Sequence, residues 1–129
     1  MLVVVFLNFS CATRLSVISD DITPMELIQR GQESWNRNRF TAALHYYSTL
    51  IERFPETPEY IEFIIAAEYE IALMHERRRE FDTARVMFND ILARYDSPDA
   101  ELLPPQFRVL SLIVLDRITE LENRGRFRR

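Results

Sequence analysis

The chain has 129 residues, and its 20 acidic and 16 basic side chains give a formal net charge of −4. This length suits one domain rather than two, and the negative charge argues against binding nucleic acid through bulk electrostatics. An apolar fraction of 47% is typical of a folded protein, while the presence of only two glycines excludes a phosphate-binding loop built on several glycines and favours helices over tight turns.

The first ten residues are uncharged and mostly apolar, and the single cysteine, Cys11, follows them directly. Their apolar run is far shorter than the ~20 residues with which a helix spans a bilayer, but it fits the core of a secretory signal. The arrangement resembles a bacterial lipoprotein signal, which implies that Cys11 is lipidated and becomes the N-terminus. The alternative is an apolar segment that packs on the domain, with Cys11 as a buried residue. We expect residues 1–10 to be the signal segment and residues 11–23 a tether.

Two segments of the chain share one pattern of small and aromatic residues. In each segment a small residue is followed, after nine, twelve and sixteen residues, by an aromatic residue, an alanine and a second aromatic residue. The two sets are Gly31, Phe40, Ala43 and Tyr47, and Ala72, Phe81, Ala84 and Phe88. We call the constant distance between them, from Gly31 to Ala72, the repeat period.

The spacing within each segment has a physical cause. Small residues on both helices let two antiparallel helices approach closely, and the aromatic residues fill their flanks. Each segment is therefore predicted to form a helical hairpin that ends at a proline, Pro55 or Pro98.

This spacing resembles the tetratricopeptide repeat (TPR) family over about residues 24–98. Gly31 and Ala72 match the small residue of the family's first helix, and Ala43 and Ala84 match its tightly packed alanine. Two departures are that the units are longer than those of the family, which have roughly 34 residues, and that its first-helix Trp and Tyr are absent. The resemblance implies an all-α fold, a short TPR-like α-solenoid of about two helical hairpins plus a C-terminal helix.

Helices are predicted over 24–37, 41–54, 59–78, 82–95 and 105–122, so that the helical domain covers residues 24–122 and a basic tail covers 123–129. Thr23 and Pro24 begin the first helix as its cap and its first-turn proline. The fifth helix carries two apolar stripes. The stripe predicted to dock on the second hairpin contains Phe107, Leu110, Val114, Ile118 and Leu121.

The second stripe of the fifth helix consists of Val109, Leu112 and Ile113. The end of a solenoid should turn a polar face to water, so we expect these three residues to form an interface. The candidates to cover them are the segment around Leu15, Val17 and Ile18, a second copy of the chain, or a partner protein.

In the TPR family the inner face of the first helices binds a peptide. By position, this implies a peptide groove lined by Met25, Ile28, Gln32, Trp35, Asn36, Tyr69, Leu73 and Glu76. Tryptophan is the residue type most enriched among binding hot spots, which favours Trp35 as a contact residue. The same residue serves equally well as a core filler in place of the family's missing tryptophan.

No arrangement of residues predicts catalysis or a metal site. His45 and His75 lie in different hairpins, and His75 lacks the second histidine four residues on that a helical zinc site requires. The glutamates at 56, 59 and 62 fit a solvated helix start better than a cation site. We therefore expect no enzyme activity, no cofactor and no metal.

These features together predict a non-catalytic scaffold or adaptor lipoprotein that mediates protein–protein interactions at the bacterial cell envelope. The resemblance to small bacterial TPR envelope lipoproteins implies a role in envelope or outer-membrane assembly. Ala12 after the cysteine implies, by the sorting rule of such lipoproteins, the periplasmic face of the outer membrane. The expected partner is a protein or peptide and not nucleic acid, and a homo-oligomer is left open. The alternatives are a soluble cytoplasmic adaptor whose residues 2–9 pack on the fifth helix, and an accessory or ligand-binding subunit of a larger complex.

Overall fold

The computed structural model describes residues 17–126, whose regular secondary structure is entirely helical. The α-helices are α1 (Pro24–Asn36), α2 (Phe40–Arg53), α3 (Ile61–Arg77), α4 (Phe81–Arg94) and α5 (Pro105–Arg126), and a short 3-10 helix (Ala100–Leu102) precedes α5. The predicted all-α fold of two hairpins plus a C-terminal helix is confirmed. The largest differences in helix bounds are that α3 begins two residues later than predicted and that α5 continues four residues further, into the predicted basic tail.

The start of α1 is fixed by a reciprocal cap. The hydroxyl oxygen of Thr23 accepts a hydrogen bond from the backbone amide of Glu26 at 3.2 Å, and the Glu26 carboxylate accepts one from the amide of Thr23 at 2.9 Å. Pro24 occupies the first turn, where its missing amide proton is not needed. A cap of this kind stabilises a helix by about 1 kcal/mol. The prediction that Thr23 and Pro24 begin the helix is confirmed.

The turns inside the two hairpins have the same backbone. Asn38 and Arg79, which are one repeat period apart, both have a left-handed conformation, with φ of 58° and 63°. In the first turn the amide of Arg39 donates to the carbonyl of Ser34 at 2.9 Å, and in the second the amide of Glu80 donates to the carbonyl of His75 at 3.0 Å. The repeat period of the sequence is therefore also a period of the structure.

The small residues of the repeat are buried between the helices of each hairpin. Gly31 of α1 faces Tyr47 of α2, and a Cβ added to this glycine would lie 2.6 Å from two atoms of the tyrosine ring. Ala72, the equivalent of Gly31 in the second hairpin, is completely buried, and so are Ala43 and Ala84, which occupy equivalent positions on the second helices. These observations confirm the packing that the spacing of small and aromatic residues predicts.

The helices stack in chain order. The second helix of each hairpin lies between successive first helices, since α2 contacts α1 and α3, and α4 contacts α3 and α5. The first helices also contact one another, α1 with α3 and α3 with α5. The first hairpin and α3 enclose one core cluster around Leu27, Tyr47 and Ile64, and the second hairpin and α5 enclose another around Phe88 and Ile118.

The docked face of α5 differs from the predicted stripe at one position. Ser111, Val114 and Ile118 are buried, whereas Leu110 is 38% exposed, so including Leu110 in the docked stripe was wrong. Because Ser111 has no long side chain, α5 can pack closely when it is turned so that this serine faces the core. Two ion pairs fasten the helix: Arg117 to Glu76 of α3 at 2.9 Å, and Arg85 of α4 to Glu122 at 2.6 Å.

The segment before α1 is part of the packed domain. Ile18 and Ile22 are each only 7% exposed and belong to the first core cluster. Arg53, at the end of α2, donates hydrogen bonds to the carbonyls of Ser19 at 2.8 Å and Ile18 at 3.3 Å. The packed domain therefore includes residues 18–22, which belong to the predicted tether before the predicted boundary of 24. The predicted lipidation site, Cys11, lies outside the described residues.

Candidate functional site

The predicted groove residues on α1 form an open surface. Met25 is 60% exposed, Gln32 and Asn36 are also exposed, and Ile28 is half-buried. On the neighbouring α3, Leu73 is half-buried. Contact between α1 and α3 places both helices in one continuous surface. We call Met25, Ile28, Gln32 and Leu73, together with Glu70 described below, the inner face.

The structure places Tyr69 and Glu76 in the interior instead of on this surface. Tyr69 is 8% exposed and packs between the rings of Phe88 and Phe107, with ring centroids 5.7 and 5.4 Å away. Glu76 is 6% exposed and holds Arg117 of α5. Both groove predictions fail for the same physical reason, since α5 covers this part of α3.

Trp35 packs as a core filler and keeps part of its surface exposed. The residue is half-buried and packs against the first core cluster. Its ring meets that of Phe40 edge to face, with centroids 6.3 Å apart. Phe40 in turn contacts the ring of His75 and lies under the guanidinium of Arg78 at 4.1 Å. Trp35 is thus fixed by packing at the turn end of the hairpins, with part of its surface facing solvent beside the inner face.

A partly buried carboxylate, Glu70, lies on the inner face although the sequence patterns did not single it out. Burial raises the pKa of Glu70, and this effect outweighs the opposing influences of Arg77 and of the neighbouring amide of Gln32. Glu70, Leu73 and Arg77 lie at intervals of three and four residues on one side of α3. That interval is the signal by which Glu70 and Arg77 could have been added to the groove.

The repeat period also explains the ion pair between α3 and α5. Trp35, Glu76 and Arg117 follow one another at this spacing and therefore occupy equivalent places in successive first helices. Glu76 and Arg117 are oppositely charged neighbours in that register and pair at 2.9 Å. Extending the repeat to the fifth helix would have predicted this contact and removed Glu76 from the groove.

Away from the inner face, a cleft of about 460 Å³ opens between the connection from α2 to α3 and the connection from α4 to α5. Arg94 lines this cleft, but its guanidinium already bonds both carboxylate oxygens of Glu68 at 2.8 Å and pairs with Glu56 at 2.9 Å. Burial raises the pKa of Glu68 more than Arg94 lowers it. Arg94 and its two glutamate partners thus satisfy one another and tie α3, α4 and the first connection together, whereas the buried hydroxyl of Thr57 in the same cleft has no hydrogen-bond partner.

The second stripe of α5 is exposed to solvent. Val109, Leu112 and Ile113 are 56, 52 and 55% exposed, and we call these three residues the outer face of α5. Within residues 17–126 the segment before α1 does not cover them, because Ile18 packs in the first core cluster and Val17 is 98% exposed. The third residue proposed for this cover, Leu15, lies outside the described residues.

The described part of the chain offers neither a metal-binding cluster nor a membrane-spanning helix. Among residues 17–126, no group of three or more His, Cys, Asp or Glu side chains is placed to hold a metal ion. In the same range, none of the helices combines the length and the hydrophobicity of a transmembrane segment.

Comparisons with known proteins add one relative. The chain is 32% identical over 116 residues to an uncharacterized protein of Treponema pallidum (strain Nichols). The match covers 88% of this chain but 45% of that protein, so the chain spans less than half the length of its relative. No family model matches the chain, and no solved structure matches it.

Proposed function

We propose that this protein is a non-catalytic adaptor of the TPR type that binds a segment of a partner protein on its inner face. The observation that carries the proposal is the exposure of apolar side chains on the first helices, above all Met25 at 60%, beside half-buried Ile28 and Leu73. Helical repeat proteins use such continuous faces of stacked helices as binding surfaces.

The chemistry of the inner face suits a segment with mixed character. Ile28 and Leu73 offer shallow apolar contacts, while Gln32 and Glu70 supply polar groups between them. A partner that alternates apolar anchors with hydrogen-bonding groups satisfies both kinds of surface, because the partly buried carboxylate of Glu70 has room to accept donors beyond the amide of Gln32. The rigid packing of Trp35 against Phe40 fixes the end of this surface and lowers the entropy lost on binding.

Site-specific photo-crosslinking in cells that naturally carry the protein tests this proposal. A photoreactive amino acid would replace Met25, Gln32 or Leu73 on the inner face, one at a time. Matched controls would carry it at Thr41 of α2 and Asn89 of α4, which are exposed. We expect a protein adduct of the same mass from the inner-face positions and none from the controls. Equal adducts at all positions, or none at the inner face, would contradict the proposal.

We also propose that Cys11 carries a lipid that anchors the domain at the cell envelope, on the periplasmic side of the outer membrane. The uncharged apolar run followed by a small residue and the single cysteine supports this. A lipid chain contributes about 0.8 kcal/mol per buried methylene to membrane binding, and stable anchoring takes more than one chain. An anchored adaptor would hold its partner close to the membrane.

Detergent phase partitioning tests the anchor. Cys11→Ser should move the full chain from the detergent phase to the aqueous phase and abolish incorporation of labelled fatty acid. The control Ser10→Ala keeps a small residue before the cysteine and should behave as the wild type. A wild-type protein that stays in the aqueous phase with Met1 intact would show that the anchor does not exist, while leaving the peptide-binding proposal untouched.

A further inference from the structure

We propose that the outer face of α5 is a self-association surface, on which a second copy of the chain packs with its own α5 antiparallel and crossing at Leu112. This inference goes beyond the proposed function, since it concerns the opposite end of the helix stack from α1. It rests on the exposure of the outer face, on the size of the residue at one repeat position, and on the placement of two charges.

The outer face is the side of α5 on which a second hairpin helix would have to pack. Gly31 of α1 and Ala72 of α3 are both buried, Gly31 against the ring of Tyr47 in the second helix of its hairpin, and Ile113 is the equivalent residue of α5, one repeat period after Ala72. In α5 this position is 55% exposed.

The residue at this position also decides what kind of helix fits there. In the first hairpin even one added carbon at Gly31 would lie 2.6 Å from the facing ring. Ile113, with three carbons more than alanine, excludes the close approach that defines the two hairpins. Leu112 and Val109 beside it suit the wider spacing of helices that pair through large aliphatic side chains. The outer face therefore fits a pairing between equals better than a third hairpin.

Two charged residues favour a second copy of the chain as the partner and set its antiparallel direction. Arg108 and Asp116 lie four residues before and four residues after Leu112, so all three share one side of the helix. Both charged residues are exposed, and within residues 17–126 neither forms an ion pair. When two copies cross antiparallel at Leu112, Arg108 of each copy meets Asp116 of the other. A parallel pair would instead oppose like charges at both ends.

The predicted interface is isologous, with one two-fold axis through the crossing. The docked side of α5 is already held by the pairs from Arg117 to Glu76 and from Glu122 to Arg85, so the helix can present its outer face without rearranging. Self-association would bury Val109, Leu112 and Ile113 from both copies at once. The inner face of α1 stays free, and the dimer would carry two of them.

Analytical ultracentrifugation of the full chain tests this inference. The experiments would use a Cys11→Ser background, which removes both lipid and intermolecular disulfides. We expect a reversible dimer at concentrations above about 1 μM, the weak end of the range for specific interfaces. Leu112→Glu should weaken dimerisation at least about 30-fold, the loss expected at the centre of an interface. Val86→Glu, at a position of α4 that is 60% exposed, is the matched control and should leave the dimer unchanged.

A charge exchange tests the antiparallel direction. Arg108→Glu and Asp116→Arg should each weaken self-association about tenfold, because each brings like charges together at both ends of the crossing. An equimolar mixture of the two variants should recover a heterodimer, since every contact in the mixed pair is between opposite charges. Circular dichroism would verify that each variant keeps its helices.

Three results would overturn the inference. A chain that sediments as a monomer at every concentration has no such interface. A dimer that survives Leu112→Glu uses another surface, such as the apolar N-terminal residues. A folded pair of charge variants that fails to associate when mixed excludes the antiparallel arrangement.

Discussion

The first hairpin packs Gly31 beneath the ring of Tyr47, whereas the second hairpin has Ala72 and Phe88 at the equivalent positions of the repeat. All four residues are buried, and the turns of the two hairpins have matching hydrogen bonds. From the first hairpin to the second, the small residue gains a methyl group and the aromatic residue loses a hydroxyl. The repeat therefore preserves a shape, and different pairs of residues produce it.

The two aromatic residues differ in what their burial costs. The hydroxyl of Tyr47 is buried and has no hydrogen-bond partner. Burial raises the pKa of Tyr47 far above its ordinary value, and the nearby Glu70 raises it further. Phe88 has no polar atom to satisfy. The first hairpin therefore bears a desolvation cost that the second avoids.

The largest expected effect comes from enlarging the alanines where the helices cross. Ala43→Leu and Ala84→Leu should each lower the free energy of unfolding by about 3 kcal/mol, because both sites are completely buried and overpacking forces the helices apart. Thermal melts check this in both hairpins. An unchanged melting temperature for either variant would show that its alanine does not lie at a crossing, and would remove the main support for the TPR resemblance.

Gly31→Ala should be the next largest effect, with a loss of about 2 kcal/mol, because the new Cβ would meet the rigid ring of Tyr47 at 2.6 Å. Gly125→Ala is the matched control. Nothing lies within 4 Å of a Cβ at that position, so alanine should preserve stability or raise it by up to about 1 kcal/mol through helix propensity. Urea titration of both variants measures the difference between their free energies of unfolding. Equal effects of the two substitutions would contradict the prediction.

Tyr47→Phe converts the aromatic residue of the first hairpin into that of the second. Removing a buried, unpaired hydroxyl should stabilise the protein by about 1 kcal/mol. The reverse change, Phe88→Tyr, should destabilise it by burying a new one. Chemical denaturation at neutral pH compares the two. A destabilised Tyr47→Phe would mean that the hydroxyl is hydrogen-bonded in solution.

The turns provide a smaller contrast. Arg79 has φ of 63°, which costs an ordinary side chain about 1 kcal/mol, whereas Asn38 tolerates its φ of 58°. Arg79→Gly should therefore stabilise the protein by about 0.5 kcal/mol, after allowing for the lost contact of the guanidinium over Phe81. Asn38→Gly should change little. Equal gains from both variants in thermal melts would show that the two turns are strained alike.

The smallest effect is a pH dependence centred on Glu70. Because the pKa of Glu70 is raised in the folded protein, the unfolded chain loses the carboxyl proton at a lower pH than the folded protein does. The free energy of unfolding therefore falls as the pH rises from below 4.5. Glu70→Gln should remove that loss, so that the variant matches the wild type at low pH and exceeds it at neutral pH. Stability measured across this range checks the sign. A variant that is less stable at neutral pH would show that ionised Glu70 is stabilising.

The helices and hairpins could be predicted because their signals are local. Thr23 caps α1, Pro55 follows α2, and the small and aromatic residues recur at fixed intervals. The docked face of α5 was harder, because apolar residues occur around most of its circumference and nothing local distinguishes Leu110 from Ser111. Ser111 is nevertheless the buried one of the two.

The site predictions depended on contacts between distant residues. Glu76 was assigned to the groove because its position in α3 matches the family pattern, but Arg117 of α5 covers it. The packing of Ile18 and Ile22 was missed because two apolar residues in a polar segment have no periodicity to mark them. Both errors concern contacts across the fold that periodicity within one helix does not contain.

The hydrogen bonds from Arg53 to the carbonyls of Ser19 and Ile18 have a mechanical consequence. A tension applied to the chain before residue 18 reaches the guanidinium and the two buried isoleucines before it reaches the capping box at Thr23. The force is then transmitted through Arg53 to the C-terminal end of α2 and not along the axis of α1. This arrangement protects the first turn of α1 from unwinding, so that under a steady pull the segment 18–22 would peel away first.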